Sequence, residues 1–77
     1  MKKQTKTYAK KVAAVLAELR EEKGFTKTTF AKSLRINLNQ LWIMESGRGL
    51  WRLDRIKRAT EILGIDMVKL FKRVSSR

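Results

Sequence analysis

The chain has 77 residues, and 19 Lys and Arg against 7 Asp and Glu give it a formal net charge of +12. It contains neither cysteine nor histidine, which excludes disulfides and removes the usual soft metal ligands and the commonest general base. No apolar run approaches the roughly 20 residues that cross a bilayer, and no signal-peptide segment follows the basic N-terminus. We therefore expect one cytoplasmic domain that is not an enzyme, with no cofactor, no metal and no membrane contact. The charge itself favours a polyanionic partner, nucleic acid before an anionic membrane.

The N-terminal segment, residues 1–7, is polar and Lys-rich and shows no apolar periodicity. We expect it to be a basic flexible arm that precedes a folded domain at residues 8–77. Its lysines either follow phosphates or a minor groove, or only solubilise the chain.

A first helix is predicted from about Thr7 to Lys23, and Gly24 supplies its stop. The apolar residues of this segment recur at the spacing of one helix face: Tyr8, Val12, Leu16 and Leu19.

Two short helices separated by a tight turn are predicted next. Thr26 is a suitable N-cap for a helix over residues 26–34, and Asn37 for a second helix over residues 38–46, which Gly47 ends. Phe30, Ala31 and Leu34 share one face of the first of these helices, and the phase of the apolar positions breaks before it resumes in the second. Two short helices around a turn, in so basic a chain, indicate a helix-turn-helix motif.

Residues 16–71 resemble the helix-turn-helix family of phage Cro proteins, lambda-type repressors and xenobiotic-response-element regulators. Two positions depart from it: Arg35 stands where the family usually has Gly in the turn, and Lys27 replaces the usual Gln. The resemblance implies an all-α fold, a compact five-helix lambda-repressor-like helix-turn-helix domain. The matching residues are Leu19 to Gly24, Ala31, Leu34, Ile36, Leu41, Met44, Glu45, Gly47 and Leu63 to Ile65.

The resemblance also implies a structural ion pair. In the family, an arginine at the place of Arg20 pairs with the glutamate matched here by Glu45, and the pair braces the first helix against the recognition helix. The alternative for Arg20 is an ordinary exposed position on the helix surface.

The helix over residues 38–46 is the predicted recognition helix. With Leu41 pointing inward and about 100° per residue, its other face points outward. Asn and Gln can bind adenine, while Leu and Ile can contact thymine methyls, so we expect A·T-rich steps to be recognised. The predicted base-reading residues are Asn37, Leu38, Asn39, Gln40, Trp42 and Ile43. An apolar patch of Leu38, Trp42 and Ile43 also suits a protein partner, which remains the alternative.

Phosphate contacts are expected from the start of the second helix, where free amides suit an anion, and from the basic loop over residues 48–52. Trp51 in this loop either donates its indole N–H to a phosphate or covers the core. The predicted phosphate-binding residues are Thr26, Lys27, Thr28, Arg35, Arg48, Arg52 and Arg55.

A fourth helix is predicted over residues 53–63, and a fifth follows Gly64 with Asp66 as its cap. The fourth should bury Leu53, Ile56, Thr60 and Leu63. The apolar positions of the fifth are Met67, Val68, Leu70, Phe71 and Val74. This fifth set either packs on the first helix or pairs in part with a second chain.

These expectations combine into a small sequence-specific double-stranded DNA-binding transcriptional regulator without a separate effector domain. We expect a repressor that occludes a promoter as a homodimer on a two-fold-related operator. One alternative keeps the fold but makes it a protein-interaction module or antitoxin that docks a partner through the recognition-helix face. Another is sequence-independent binding by charge alone. An enzyme has the least support, since Glu21 and Glu22 are more simply an exposed helix end.

Overall fold

The computed structural model describes residues 2–49 and 51–76, with the backbone alone for residues 2–7. Within these residues the chain forms five α-helices and no strand, which confirms the predicted all-α, five-helix fold. The helices are α1 (Lys2–Glu22), α2 (Lys27–Leu34), α3 (Leu38–Glu45), α4 (Leu53–Leu63) and α5 (Met67–Ser75).

The first helix begins earlier than predicted, at Lys2 rather than near Thr7. Residues 2–7 carry no apolar stripe, but they also contain neither Gly nor Pro, and Lys and Gln are good helix formers. The absence of an apolar face therefore did not mark the end of the helix. The side chains of residues 1–7 lie outside the described part of the chain, and the flexible arm stays a prediction.

The core forms around α1, which packs against α3, α4 and α5. The predicted inward residues of α2 are buried, and so are those of α1 with one exception, which confirms most of the helical periodicity seen in the sequence. The exception is Tyr8, one turn before the first buried residue of α1, which is 44% exposed and stacks on Phe71 of α5. Burial of one aliphatic or aromatic side chain stabilises the fold by roughly 1.5–3 kcal/mol. The largest fully buried side chains are Val15, Leu16, Phe30, Leu41, Leu70 and Val74.

Two apolar residues of α4 and α5 are exposed: one was predicted to point inward, and the other belongs to the apolar set of the fifth helix whose packing was left open. Leu53 was predicted to point inward, but it is 69% exposed because it begins α4, one turn before the first buried residue, Ile56. Val68 is 63% exposed, since it lies two residues before the buried Leu70 and hence on the other side of α5. The remaining inward predictions for α4, Ile56, Thr60 and Leu63, are confirmed.

An ion pair between exposed side chains joins the ends of α1 and α5. The Arg73 guanidinium donates to both carboxylate oxygens of Glu22 and lies 3.6 Å from Glu18 Oε1. The hydrogen bond from Arg73 lowers the pKa of the Glu22 carboxyl below its usual value of 4.5. A carboxyl with a lowered pKa stabilises the fold at neutral pH, and that contribution is lost as the pH falls through the folded-state pKa. Because both groups are exposed, we expect the effect to be small.

The turn between α2 and α3 contains Arg35 in the left-handed conformation, with φ 61° and ψ 41°. Its N–H closes the helix end on the carbonyls of Ala31 and Lys32. Arg35 is the one residue other than Gly with a positive φ in the described chain. An L-residue in this conformation costs roughly 1–2 kcal/mol, which gives a physical reason for the glycine usual at this position in the family that the sequence resembles.

Replacing Arg35 by Gly should therefore raise the free energy of unfolding by about 1 kcal/mol, measured by thermal or urea unfolding. Gly64→Ala is the matched control. Gly64 also has a positive φ, 74°, and no atom lies within 4 Å of a Cβ built there. Its substitution should lower the stability by a similar amount through the backbone alone. A less stable Arg35→Gly variant would show that the arginine side chain contributes more than its strained backbone costs.

Candidate nucleic-acid interface

The two helices of the motif begin at side-chain caps, as the sequence predicts. Thr26 Oγ1 accepts a hydrogen bond from the Thr29 amide at 3.1 Å, and Asn37 Oδ1 accepts one from the Gln40 amide at 2.7 Å. Each cap satisfies an amide that has no partner within its helix. Both helix starts are thus set by local hydrogen bonds.

A buried ion pair holds α3 against α1. Arg20 Nε donates to Glu45 Oε2 at 2.8 Å, and the two side chains are only 6% and 7% exposed. Arg20 Nη1 also donates to the Phe25 carbonyl at 2.7 Å, in the segment that leads into α2. One guanidinium therefore contacts the α3 carboxylate and the α1–α2 connection together. This contact sets the position of α3 relative to the rest of the domain.

The outward face of α3 carries three large apolar side chains. Trp42 is 58% exposed, Ile43 44% and Leu38 41%. Asn39 beside them is exposed, while Gln40 is half-buried. Asn37 is exposed as well, but its side-chain oxygen is engaged in the cap. Five of the six predicted base-reading residues thus lie on an exposed surface, and Gln40 lies at its edge.

The ammonium group of Lys27 lies over the ring of Trp42, with Nζ 4.5 Å from the ring centroid. This is the geometry of a cation–π contact, which restricts both side chains. The sequence did not predict it, because it depends on the angle between α2 and α3. It brings a predicted phosphate-binding residue and a predicted base-reading residue together.

The other predicted phosphate-binding residues differ in their exposure and in their contacts with neighbouring side chains. Arg52 Nε lies 3.7 Å from Asp54 Oδ1, with both side chains 74% exposed. Arg55 is half-buried, and its Nη1 lies 3.9 Å from Met44 Sδ, behind α3. Of the seven predicted residues, the exposed ones are Thr26, Thr28, Arg35, Arg48 and Arg52.

The loop after α3 runs close against that helix. A Cβ at Gly49 would come within 3.1 Å of Ile43 Cγ2, and the Gly49 amide donates to the Ile43 carbonyl at 3.2 Å. A larger residue would therefore have to displace Ile43 or the loop. The close approach keeps Arg48 beside the exposed end of α3. A glycine two residues after the helix-ending Gly47 is the sequence signal that could have indicated this contact.

Trp51 covers the core, which is one of the two roles that the sequence predicted for it. Its ring packs against the buried cluster, and Nε1 is buried without a hydrogen-bond partner among the described residues. A buried N–H of this kind does not reach a phosphate in this conformation.

Within the described part of the chain, no helix has the length and apolar character needed to cross a membrane. No group of three or more Asp, Glu, His or Cys in that part could hold a metal ion.

A family model described as a helix-turn-helix domain matches residues 11–70. No curated protein matches the chain. Two crystal structures of the clp gene regulator ClgR from Corynebacterium glutamicum are similar in fold, with TM-scores of 0.85 and 0.83. Each is 20% identical and matches 90% of this chain, over 73% and 88% of the respective ClgR chains. At that identity the likeness shows the fold alone, but the family model spans most of the sequence: this chain belongs to the helix-turn-helix domain family.

Proposed function

We propose that this protein is a transcriptional regulator that binds double-stranded DNA in a sequence-specific manner by inserting α3 into the major groove. The observation that carries the proposal is the outward face of α3, which has exposed Asn39 and apolar side chains and is held in place by the Arg20–Glu45 pair. A recognition helix needs such a fixed and exposed face to contact base edges.

The charge distribution supports the same partner. A formal net charge of +12 attracts a polyanion, and exposed Arg35, Arg48 and Arg52 lie on the segments that flank α3. Contacts from such cations to phosphates position a protein on the duplex but carry no sequence information. The cations therefore supply affinity, and α3 supplies the choice of sequence.

The proposal includes a homodimer that acts as a repressor by occluding a promoter. Met67, Val68 and Phe71 line an open groove on α5, which offers apolar surface for a second copy. Two copies related by a two-fold axis would place two recognition helices on half-sites about one helical turn, roughly 34 Å, apart. Sedimentation with and without a palindromic duplex tests the dimer.

Selection from a random duplex library tests the proposed function, followed by salt titrations of the selected and scrambled sequences. A sequence-specific regulator keeps an affinity ratio between the two duplexes as salt rises, although both affinities fall. Equal affinity for both at every salt concentration would contradict the proposal and favour binding by charge alone.

Replacing Lys27, Arg48 or Arg52 by Ala should weaken binding to all sequences. Each lost phosphate contact should reduce the slope of log K against log salt by about one unit. Lys69→Ala is the matched control, since it removes the same charge from an exposed position on α5 and should leave the slope unchanged. Unchanged slopes for all three variants would exclude this face from the interface.

A second candidate is a protein-interaction module, such as an antitoxin, which docks its partner on the same face. The exposure of Leu38, Trp42 and Ile43 favours it, since large apolar patches often mark protein contacts. In that case Asn39→Ala and Ile43→Lys on this face would abolish partner binding and leave DNA affinity unchanged.

A further inference from the structure

We propose that α3 selects its DNA site mainly through thymine methyl groups, which contact the apolar face formed by Leu38, Trp42 and Ile43. The inference rests on the proposed function and specifies its ligand: A·T base pairs at the positions facing α3, with guanine not directly contacted there. Three observations support it: α3 contains no Arg or Lys, most polar side chains around it are hydrogen-bonded within the fold, and neighbouring residues contact its apolar face.

The commonest specific contact to guanine requires a cation, because Arg or Lys donates to O6 and N7 in the major groove. Residues 38–45 contain neither Arg nor Lys. The single carboxylate in this stretch, Glu45, is buried in its pair with Arg20 and points to α1. It is therefore not available to accept a hydrogen bond from cytosine. The exposed part of α3 is electrically neutral, so it lacks both the cation that most often binds guanine and a free carboxylate for cytosine.

Most polar groups around α3 are already engaged in the fold. Asn37 Oδ1 caps the helix, and Ser46 Oγ donates to the Ile43 carbonyl at 2.8 Å. Asn39 is exposed, and Gln40 is half-buried. A side-chain amide is the group that binds adenine through N6 and N7. The polar part of the face thus selects adenine, whose partner is thymine.

The apolar part of the face is held by its neighbours. Lys27 lies over the Trp42 ring, and Gly49 lies directly against Ile43. Leu38 is one helical turn before Trp42, so their side chains project from the same side. The thymine methyl is the apolar group that base edges present in the major groove. Apolar side chains and an adenine-binding amide on one face therefore match the two halves of the same base pairs.

The surroundings of the apolar face favour DNA over a protein partner. Exposed Arg35, Arg48 and Arg52 lie on the turn before α3 and the loop after it. A surface with apolar groups at its centre and cations at its rim is complementary to a thymine-rich groove between two phosphate backbones.

The test uses the duplex selected from the random library and the same duplex with uracil in place of thymine at positions facing α3. Uracil keeps every hydrogen-bonding group and lacks only the methyl. We expect about fourfold weaker binding for each contacted methyl removed, the value for one buried carbon. Leu38→Ala and Ile43→Ala should bring the ratio of thymine to uracil affinity towards one. Leu53→Ala should leave it unchanged, since it makes the same change at an exposed leucine of α4.

The outcomes separate this inference from the proposed function. In one outcome the protein binds the selected duplex more tightly than scrambled DNA, yet equally tightly whether that duplex contains thymine or uracil. This result would overturn methyl recognition and leave sequence-specific binding intact. Guanine at the selected positions facing α3 would also overturn it. A library that yields no preferred sequence would overturn both. Unchanged DNA binding by the Leu38 and Ile43 variants, with loss of a purified protein partner, would assign the face to that partner.

Discussion

Replacing Arg20 or Glu45 alone by Ala should lower the free energy of unfolding by about 3 kcal/mol. The pair is almost fully buried, so Arg20→Ala leaves the Glu45 carboxylate uncompensated away from water. Glu45→Ala leaves the buried Arg20 with only the exposed carboxylate of Glu21, 3.6 Å from its Nη2. Arg20→Ala also removes the hydrogen bond to the Phe25 carbonyl, whereas Glu45→Ala leaves that bond in place. We therefore expect the arginine variant to be the less stable of the two. Small domains have a total stability of roughly 5–15 kcal/mol, so urea unfolding should resolve either loss.

Two controls show whether burial causes the effect. The double variant Arg20→Met with Glu45→Leu removes both charges and fills similar space, so it should recover most of the stability lost by the single variants. Arg73→Ala breaks an ion pair between exposed groups and should have a far smaller effect. Single variants at Arg20 and Glu45 that unfold like the unmodified chain would show that neither substitution leaves a charge stranded away from water, which contradicts the buried pair.

The features that the sequence predicted are those with a local cause. The caps at Thr26 and Asn37 need only an oxygen and an amide three residues on. The burial of Phe30 and Leu34 follows from helical periodicity and a single inward direction. Such features depend on a few neighbouring residues, and so they can be predicted from a short stretch of sequence.

The features that the sequence did not predict, or predicted wrongly, depend on how separate segments of the chain pack against one another. Leu53 has the spacing of a buried residue, but α4 extends beyond the core at its first turn. The contact between Lys27 and Trp42 depends on the crossing of α2 and α3. Which of its two predicted roles Trp51 takes depends on how the loop folds over the core. Periodicity fixes the direction of a side chain around its own helix, but it does not place the helix among its neighbours.

The same distinction applies to the candidate interface. The identity of the outward residues on α3 follows from periodicity, and their exposure agrees with it. Only the structure shows that the side chains of Asn37 and Ser46 are engaged in hydrogen bonds and are thus less available to bases. The structure therefore narrows the candidate polar groups for base contact on α3 to the side-chain amides of Asn39 and, at the edge of the face, Gln40.

Asn39→Ala should relax the preference for adenine at one position of the operator by about 1–3 kcal/mol, while non-specific binding stays nearly unchanged. The exposed amide makes no hydrogen bond within the described chain that stabilises α3, so the variant should unfold like the unmodified protein. Asn37→Ala is the matched control, because it removes the same amide from the cap of the same helix. It should lower the stability by about 1 kcal/mol, and Asn37→Ser should restore most of it.

Ile43→Lys extends the test of how α3 contributes to specificity. The new cation should strengthen binding to any duplex, yet discrimination between operator and scrambled sequence should fall, since an apolar contact is exchanged for a mobile charge. Both affinities, measured at two salt concentrations, give the discrimination ratio and the salt slope together. An unchanged ratio for both Asn39→Ala and Ile43→Lys would exclude α3 as the recognition helix. Loss of the ratio in both, with Asn37→Ser unaffected, would assign base recognition to the exposed face of α3 and leave to Asn37 the structural role of holding its first turn.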